Sequence, residues 1–283
     1  MGGVKQRKKR QRRTIRHYHS VWDVSKDVWK RIERNLPATR PAGTPGRPPL
    51  PNRCVYDGVV HVLRTGCQWK SLKTAWFGAA SSIHARFQKW VEQGVWAQVF
   101  KLMLDLYDKL RHIQWRWQAL DSKSVPAPLG GTHTGKNPTD RGKLGSKWHL
   151  LVDQRGAPLA ITISAANTHD KRCALATLKA CPVHKPRRVY RIHHLCADKG
   201  YDYTDTRLDI HKRGYRAHIA HRGQAPKPIK KRHPARRWVV ERTHAWQNNF
   251  RSLRIRWAKK SPNWLALNHL AAALTLYRLA IYG

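Results

Sequence analysis

The chain has 283 residues, and its 56 lysines and arginines against 16 aspartates and glutamates give a formal net charge of +40. Such a charge favours a polyanionic partner, because a protein that neutralises phosphates releases condensed counterions whatever the base sequence. Hydrophobic residues make up 41% of the chain and include thirteen tryptophans, which is enough for a sizeable core and argues against a small ribosomal-type or packaging protein.

The cysteines and the apolar stretches bear on the cellular compartment. The five cysteines are odd in number and contain no C-x-x-C pair, which argues against a zinc module or a secreted disulfide framework. The N-terminus lacks the apolar region of a signal peptide. The best candidate for a membrane span, residues 264–282, is interrupted by Asn268, His269 and Arg278 and has the spacing of an amphipathic core helix. We therefore expect a cytosolic protein with no membrane partner.

The N-terminal segment is strongly basic. Residues 4–16 read VKQRKKRQRRTIR, a run too charged to fold by itself, so we expect a disordered arm over residues 1–20. The arm is either a contact to DNA or RNA, a solvated tail or a nuclear-import signal. A loop rich in proline and glycine is predicted for residues 37–53.

Four helices are predicted in the next part of the chain. Ser25 is expected to cap the first, Gly66 to end the second, and Ser81 or Ser82 to cap the third, which ends at Gly94 before a longer fourth helix. Several short helices in a basic setting are typical of a helix-turn-helix-like module. We therefore predict a small all-α DNA-binding domain over residues 21–110.

The third predicted helix supplies candidate DNA contacts. His84, Arg86 and Lys89 point away from its apolar stripe and are expected to reach phosphate or base edges. A solvated helical face is the alternative for each of them.

After residue 112 the pattern of apolar residues changes. Strands are predicted at 117–120, 147–152, 159–164, 192–197 and 215–220, and helices at 170–180, at 203–213 and from near Pro234 onward. Three strands in a meander followed by alternating helices and strands is the element order of an RNase H-like domain. We therefore predict an α/β catalytic domain with a mixed five-stranded sheet over residues 111–283.

Three carboxylates stand out in this second domain. Asp121 and Asp198 each directly follow a predicted apolar strand, where side chains reach the rim of a sheet, and Glu241 lies on the predicted helix after them. Glu241 is one of only three glutamates and the only acidic residue after Asp209, so a solubilising role explains it poorly. Magnesium takes oxygen ligands, so three carboxylates are able to hold two ions about 4 Å apart, at the attacking and leaving oxygens of a phosphodiester.

Other polar residues of this region have more ordinary interpretations. Asp153 is predicted to be a turn residue, and Asp170 to cap a helix. Lys147 and Lys199 either touch the phosphate backbone of DNA or are plain surface cations. Trp246 is predicted to lie in the core rather than to stack on a base.

Six segments carry a resemblance to a known family. They are VLRTGCQW at 62–69, LDSKSV at 120–125, GSKWHLLVD at 145–153, ANTHD at 166–170, ADKGYD at 197–202 and RWVVERT at 237–243. Together they resemble the DDE transposases of bacterial insertion sequences, the IS5 family (IS4-like), from about residue 22 to the C-terminus.

The resemblance implies a function and a set of partners. Asp121, Asp198 and Glu241 would be the catalytic, metal-binding triad, with two Mg²⁺ or Mn²⁺ ions as cofactors. The enzyme would cleave the ends of its element and transfer them to new DNA. Its partners would be double-stranded DNA, in the form of terminal repeats and target, and further copies of itself in a homodimer or higher oligomer. The resemblance also implies a bacterial, nucleoid-associated protein.

In that family a Tyr, an Arg, a Glu and a Lys mark the helix that bears the glutamate. Arg237 and Glu241 match and, four residues apart, lie on one helix face, which makes Arg237 a candidate phosphate contact. Pro234 stands where the Tyr is expected, and Asn248, which is able to donate a hydrogen bond to DNA, replaces the Lys. Two alternatives therefore stay open: an RNase H-like DNA nuclease, and a catalytically inactive DNA-binding relic.

Overall fold

A computed structural model describes residues 23–38, 45, 48–186, 192–221, 223 and 237–283. The predicted arm at residues 1–20 and the position of Pro234 lie outside these described residues.

The N-terminal region consists of helices, as predicted. They are α1 (Lys26–Arg34), α2 (Asn52–Thr65), α3 (Thr74–Phe77), α4 (Ala80–Glu92) and α5 (Val95–Arg111), with a 3₁₀ turn at Trp69–Ser71. Ser25 caps α1, because its Oγ accepts the amide of Val28 at 3.4 Å. Gly66 ends α2 in the left-handed conformation at φ 69°, where a residue without a Cβ is favoured. Both predictions are confirmed.

The prediction that Ser81 or Ser82 caps the third helix was wrong. The N-cap is Ala79, which makes no capping bond through its side chain. Gly78 immediately before it has φ 89° and lies so close to Leu50 that a Cβ would meet its Cδ2 at 2.5 Å. Packing of this turn, and of Ile83 within the helix, therefore sets where α4 begins, and no polar cap is needed.

Six strands form one mixed sheet in the described part of the second region. They are β1 (Trp117–Pro126), β2 (Gly135–Lys136), β3 (Leu144–Asp153), β4 (Pro158–Ala165), β5 (His193–Ala197) and β6 (Tyr215–Ile219). The five longer strands follow the order β4-β3-β1-β5-β6, and the two-residue β2 pairs with β3 beside β4. The pairs β3–β4 and β1–β3 are antiparallel, whereas β1–β5 and β5–β6 are parallel. This is the predicted five-stranded RNase H-like arrangement with a short addition.

Helices connect and cover this sheet. α6 (Lys171–Lys179) follows the meander, and α7 (Thr204–Lys212) links β5 to β6. After β6 come α8 (Trp238–Gln247), α9 (Arg251–Arg254) and α10 (Ser261–Tyr282). The described part of α8 begins at Trp238 and carries Glu241.

α10 is a core helix that joins the two regions. By length and composition it is able to cross a membrane, but 72% of its most apolar window is buried inside the protein. It packs against α5 from the helical region and against β4 of the sheet. The two regions also share hydrogen bonds, since the amide of Ser25 donates to Tyr277 Oη at 3.0 Å. The division at residue 110 stays a prediction.

Candidate active site

The register of two parallel strands places the two aspartates side by side. The pairing of β1 with β5 runs from Trp117 opposite His194 to Leu120 opposite Ala197, and Asp121 and Asp198 are the next residues of the two strands. β5 ends there, so Asp198 directly follows its strand as predicted. Asp121 does not: β1 continues to Pro126, because β3 pairs with it over that whole length.

Arg237 links the other two predicted acids. Its Nε donates to Glu241 Oε1 at 2.9 Å, and its Nη1 donates to Asp198 Oδ1 at 2.8 Å. Arg237 precedes Glu241 by four residues, so α8 presents both side chains on one face. The helix packs against β1 and β3. The fold therefore brings Asp121, Asp198, Glu241 and Arg237, which lie far apart in sequence, to one edge of the sheet.

The three carboxylates differ in exposure. Asp121 is 21% exposed, whereas Asp198 and Glu241 are 47% and 49% exposed. Burial raises the pKa of Asp121 to about 6, and repulsion from Asp198 and Glu241 adds to this. The amide of Ser122, which donates to Asp121 Oδ1 at 2.8 Å, opposes the rise. Asp121 is therefore a crowded carboxyl group that a nearby positive charge would help to ionise.

A histidine that was not predicted from the sequence lies beside Asp121. His244 Nε2 is 3.9 Å from Asp121 Oδ2, and the indole Nε1 of Trp148 donates to the other ring nitrogen, Nδ1, at 2.9 Å. Burial lowers the pKa of His244 to about 3, and the charge of Lys123 lowers it further. The ring is therefore neutral at physiological pH. A signal for His244 was available, because it follows Glu241 by three residues and so shares its helix face; none marks Trp148.

The carboxylates have the chemistry of a site for a hard divalent cation. They offer oxygen ligands alone, and two neighbouring carboxylates with water and a substrate phosphate satisfy Mg²⁺. Among the described residues, no group of three or more His, Cys, Asp or Glu side chains is already arranged around a common metal position. Arg237 accounts for this arrangement, because it draws Asp198 and Glu241 to its own guanidinium. The crowding that raises the pKa of Asp121 is what a cation would relieve, so the residues fit one.

The other predicted residues of this domain occupy varied surroundings. Lys147 is 14% exposed, and its Nζ donates to Asp170 Oδ1 and to the carbonyl of Thr168, both at 3.0 Å. Lys199 is exposed and directly follows Asp198. Asn248 is the C-cap residue of α8. Phosphate contacts by Lys147, Lys199, Arg237 and Asn248 stay predictions, and a contact by Lys147 would have to compete with its ion pair.

The three candidates on α4 differ in contacts and exposure. His84 is half-buried against the ring of Trp69, with ring centroids 5.0 Å apart. Arg86 Nη1 donates to Asn52 Oδ1 on α2 at 2.8 Å, which ties it to the neighbouring helix. Lys89 is exposed. Their roles in DNA binding stay predictions, and Lys89 is the most accessible of the three.

Two family profiles match most of the chain. The family described as "Transposase DDE domain" matches residues 116–276, which is more than half of the chain, and includes Asp121, Asp198 and Glu241. This chain belongs to the DDE transposases. The family described as "Putative transposase of IS4/5 family" matches residues 24–100, so the assignment to the IS4/IS5 type is confirmed.

Two curated relatives come from one insertion element of Burkholderia cepacia. The transposase "Putative transposase for insertion sequence element IS402" is 38% identical over 141 residues, 47% of this chain and 63% of that protein. The "Insertion element IS402 uncharacterized 16.2 kDa protein" is 32% identical over 119 residues, which cover 41% of this chain and 80% of that protein. This DDE transposase thus spans a little under two thirds of the first relative.

Solved transposase structures show a distant likeness. A piggyBac transposase synaptic complex with hairpin DNA is 10% identical at a TM-score of 0.43, over 89% of this chain and 70% of that one. The catalytic domain of Mos1 mariner transposase is 11% identical at a TM-score of 0.30, over 69% of this chain and 96% of that one. Scores this low add nothing to what the strand order and the family profile establish.

Proposed function

We propose that this DDE transposase cleaves the ends of its insertion sequence and joins them to target DNA. The observation that carries the proposal is the convergence of Asp121, Asp198 and Glu241 at the edge of the sheet, inside the matched DDE domain. The reaction would be hydrolysis of a phosphodiester followed by transesterification. In the second step the freed 3′-hydroxyl attacks the target strand, and no covalent bond to the protein forms.

The carboxylates and the arginine have separate tasks in this reaction. Asp121 and Asp198, on adjoining strands, and Glu241 on α8 would hold Mg²⁺ or Mn²⁺, two ions in all. Bound there, the cations supply the Lewis acidity that activates the attacking oxygen and stabilises the leaving oxygen. Arg237 is 46% exposed, so its guanidinium is accessible to a DNA phosphate while it orients Asp198 and Glu241.

DNA is the expected partner on electrostatic grounds. The formal charge of +40 favours binding to the phosphate backbone whatever the base sequence. Lys199 beside the carboxylates and Lys89 on α4 are exposed cations that suit contacts to the backbone of terminal-repeat and target DNA. Because two ends must be joined to one target, the family resemblance favours a dimer or higher oligomer on DNA. Such a protein would act in the bacterial cytoplasm, on the nucleoid.

The test is cleavage and joining of labelled DNA that carries the element's own ends, with Mg²⁺ or with EDTA. We expect Glu241→Gln to lower the rate by at least about 10³-fold, because it removes a carboxylate charge from the reacting phosphate. Glu92→Gln is the matched control, since Glu92 is an exposed glutamate at the end of α4 and should be neutral.

The same assay separates the competing functions. Metal-dependent joined product that disappears in Glu241→Gln establishes the transposase. Cleavage without joining identifies a nuclease on the same fold. Binding with no metal-dependent chemistry identifies a DNA-binding relic, which the Asn248 replacement would explain.

A further inference from the structure

The hydrogen bond from Trp148 decides which nitrogen of His244 carries a proton. An indole N–H is only a donor, so Nδ1 of His244 must accept through a lone pair and cannot carry a hydrogen. The neutral ring therefore has its hydrogen on Nε2. Trp148 and His244 are 1% and 6% exposed, so bulk water does not compete for this bond.

The Nε2–H group of His244 is aimed at the active site but has no acceptor within hydrogen-bond distance. It is buried and without a hydrogen-bond partner among the described residues. Asp121 Oδ2 lies 3.9 Å from Nε2. The other oxygen of that carboxyl group, Oδ1, already accepts the amide of Ser122. A buried donor without a partner that lies beside a partly exposed carboxylate is unusual, because native structures satisfy most buried polar groups.

The helix that carries His244 is held against the β3–β4 hairpin next to the histidine. The neighbouring Thr243 donates from Oγ1 to the carbonyl of Gly156, in the turn between β3 and β4, at 2.8 Å. Trp148 lies on β3, which pairs with β1. One set of contacts thus links the hairpin, the helix and the strand that bears Asp121.

We propose that His244 is a positioning residue for Asp121: its Nε2–H donates to Oδ2 and orients the carboxylate toward a bound divalent cation. The proposal rests on the proposed function, since it requires a cation at this site. Closing the gap from 3.9 Å to an ordinary hydrogen bond needs a shift of about 1 Å. The other titratable groups whose charges act on this pair are Asp198, Glu241, Arg237, Lys123 and His149. Trp148 has the further task of excluding the tautomer that could not donate.

The proposal is tested by the Kd of the full-length protein for Mn²⁺ in the absence of DNA. Electron paramagnetic resonance measures this Kd. His244→Phe keeps the ring shape but loses both nitrogens, and we expect it to raise the Kd for Mn²⁺ by about 10-fold or more. His244→Gln keeps an N–H near the position of Nε2 and should recover most of the affinity. His269→Phe is the matched control. His269 lies on α10 and stacks on Phe100 of α5, so its ring contacts the helical region and not the carboxylates.

The Asp121→Asn variant separates the failure of this proposal from failure of the proposed function. If Asp121→Asn binds Mn²⁺ like the wild type, the cation site itself is wrong. If Asp121→Asn is weakened but His244→Phe is not, the site stands and His244 has no positioning role. A coupled pair predicts that His244→Phe causes no further loss when Asp121 is already Asn.

Thermal unfolding in EDTA distinguishes positioning from simple packing. If His244→Phe and His244→Gln lose the same Mn²⁺ affinity as each other, and the same melting temperature as each other, His244 is a packing residue. That result would overturn the proposal. Should His244→Phe fail to fold, Trp148→Phe removes the donor to Nδ1 together with part of a buried ring, so its melting temperature in EDTA is measured alongside. It is expected to weaken Mn²⁺ binding by several-fold, and unchanged binding there contradicts the proposal.

Discussion

The turn between β3 and β4 and the edge of the sheet at β1 and β5 each hold an aspartate, but the two surroundings differ in how far they satisfy it. Asp153 in the turn is fully buried, and its two oxygens accept four hydrogen bonds: Oδ1 from the amides of Arg155 and Ala157, Oδ2 from the amide of Gln114 and from Tyr107 Oη. Asp121 at the edge accepts one, from the amide of Ser122.

The difference separates a structural carboxylate from one that is kept ready for a ligand. Around Asp153 every donor is used to hold the turn and the end of α5 together. Around Asp121 the neighbours are two more carboxylates and a histidine at 3.9 Å, and the positive charge of Arg237 compensates its charge only in part. Poor compensation costs stability and leaves capacity to bind a cation.

The largest expected effect on stability is at Asp153. Asp153→Ala leaves three amides and one hydroxyl group without their acceptor, so the free energy of unfolding should fall by about 4 kcal/mol. Urea denaturation at pH 7 in EDTA measures it. Asp105→Ala is the control, since Asp105 is 47% exposed and pairs with Lys101 on the surface of α5, where about 0.5 kcal/mol or less is expected. If Asp153→Ala lowers the free energy of unfolding as little as Asp105→Ala does, Asp153 is not a structural carboxylate and the contrast with Asp121 fails.

Asp121→Asn should act in the opposite direction and depend on pH. The folded pKa is about 6 against an ordinary value of 3.8, so between these pH values the unfolded chain ionises first and stability falls as pH rises. The variant avoids this cost and should be more stable than the wild type above pH 6, by up to about 3 kcal/mol. Well below pH 3.8 the carboxyl group of Asp121 is protonated in the folded and in the unfolded chain alike. The gain in stability should vanish there.

Urea denaturation of both proteins from pH 3.5 to 8 in EDTA follows this gain. A variant that is less stable than the wild type at pH 7.5 would show that Asp121 is a structural acid like Asp153. A gain that stays constant over the whole range would show that the carboxyl group titrates normally.

The smallest expected effect is at Arg237, although it touches two members of the triad. Arg237, Asp198 and Glu241 are each close to half-exposed, so water screens their attraction, and Arg237→Ala should cost less than about 1 kcal/mol at pH 7. Lys101→Ala, which breaks an equally exposed pair of the same spacing on α5, should cost about the same. A much larger cost at Arg237 would mean that the ion pairs at the edge are structural.

Local chemistry in the sequence was sufficient for the turns and for the order of the elements. The hydroxyl group of Ser25, the left-handed Gly66 and the Asp153–Gly156 turn act within a few residues, so their roles follow from residue type and spacing. Asp198 directly follows an apolar strand, Glu241 is the only acid after Asp209, and the family resemblance then added Arg237. Their convergence is a property of strand register and helix packing, which the structure supplied.

Features that depend on distant partners were not predicted. The polar residues 122–124 give no strand signal, yet β1 includes them because β3 pairs with each one. Ser81 and Ser82 resemble caps, but packing of Gly78 on Leu50 starts α4 earlier. The contact of His244 with Trp148 joins residues 96 positions apart, and spacing within the chain does not reveal it.

The position of α8 has a consequence for the newly made chain. A ribosome releases Asp121 and Asp198 well before it releases Glu241, because α8 follows every described strand of the sheet in the chain. The carbonyl of Gly156, which accepts the hydroxyl group of Thr243, is likewise made before that helix. A nascent chain that stops just before residue 237 therefore has both aspartates but lacks the third acid and the arginine. The order of translation keeps the candidate site incomplete until residue 241 has been made.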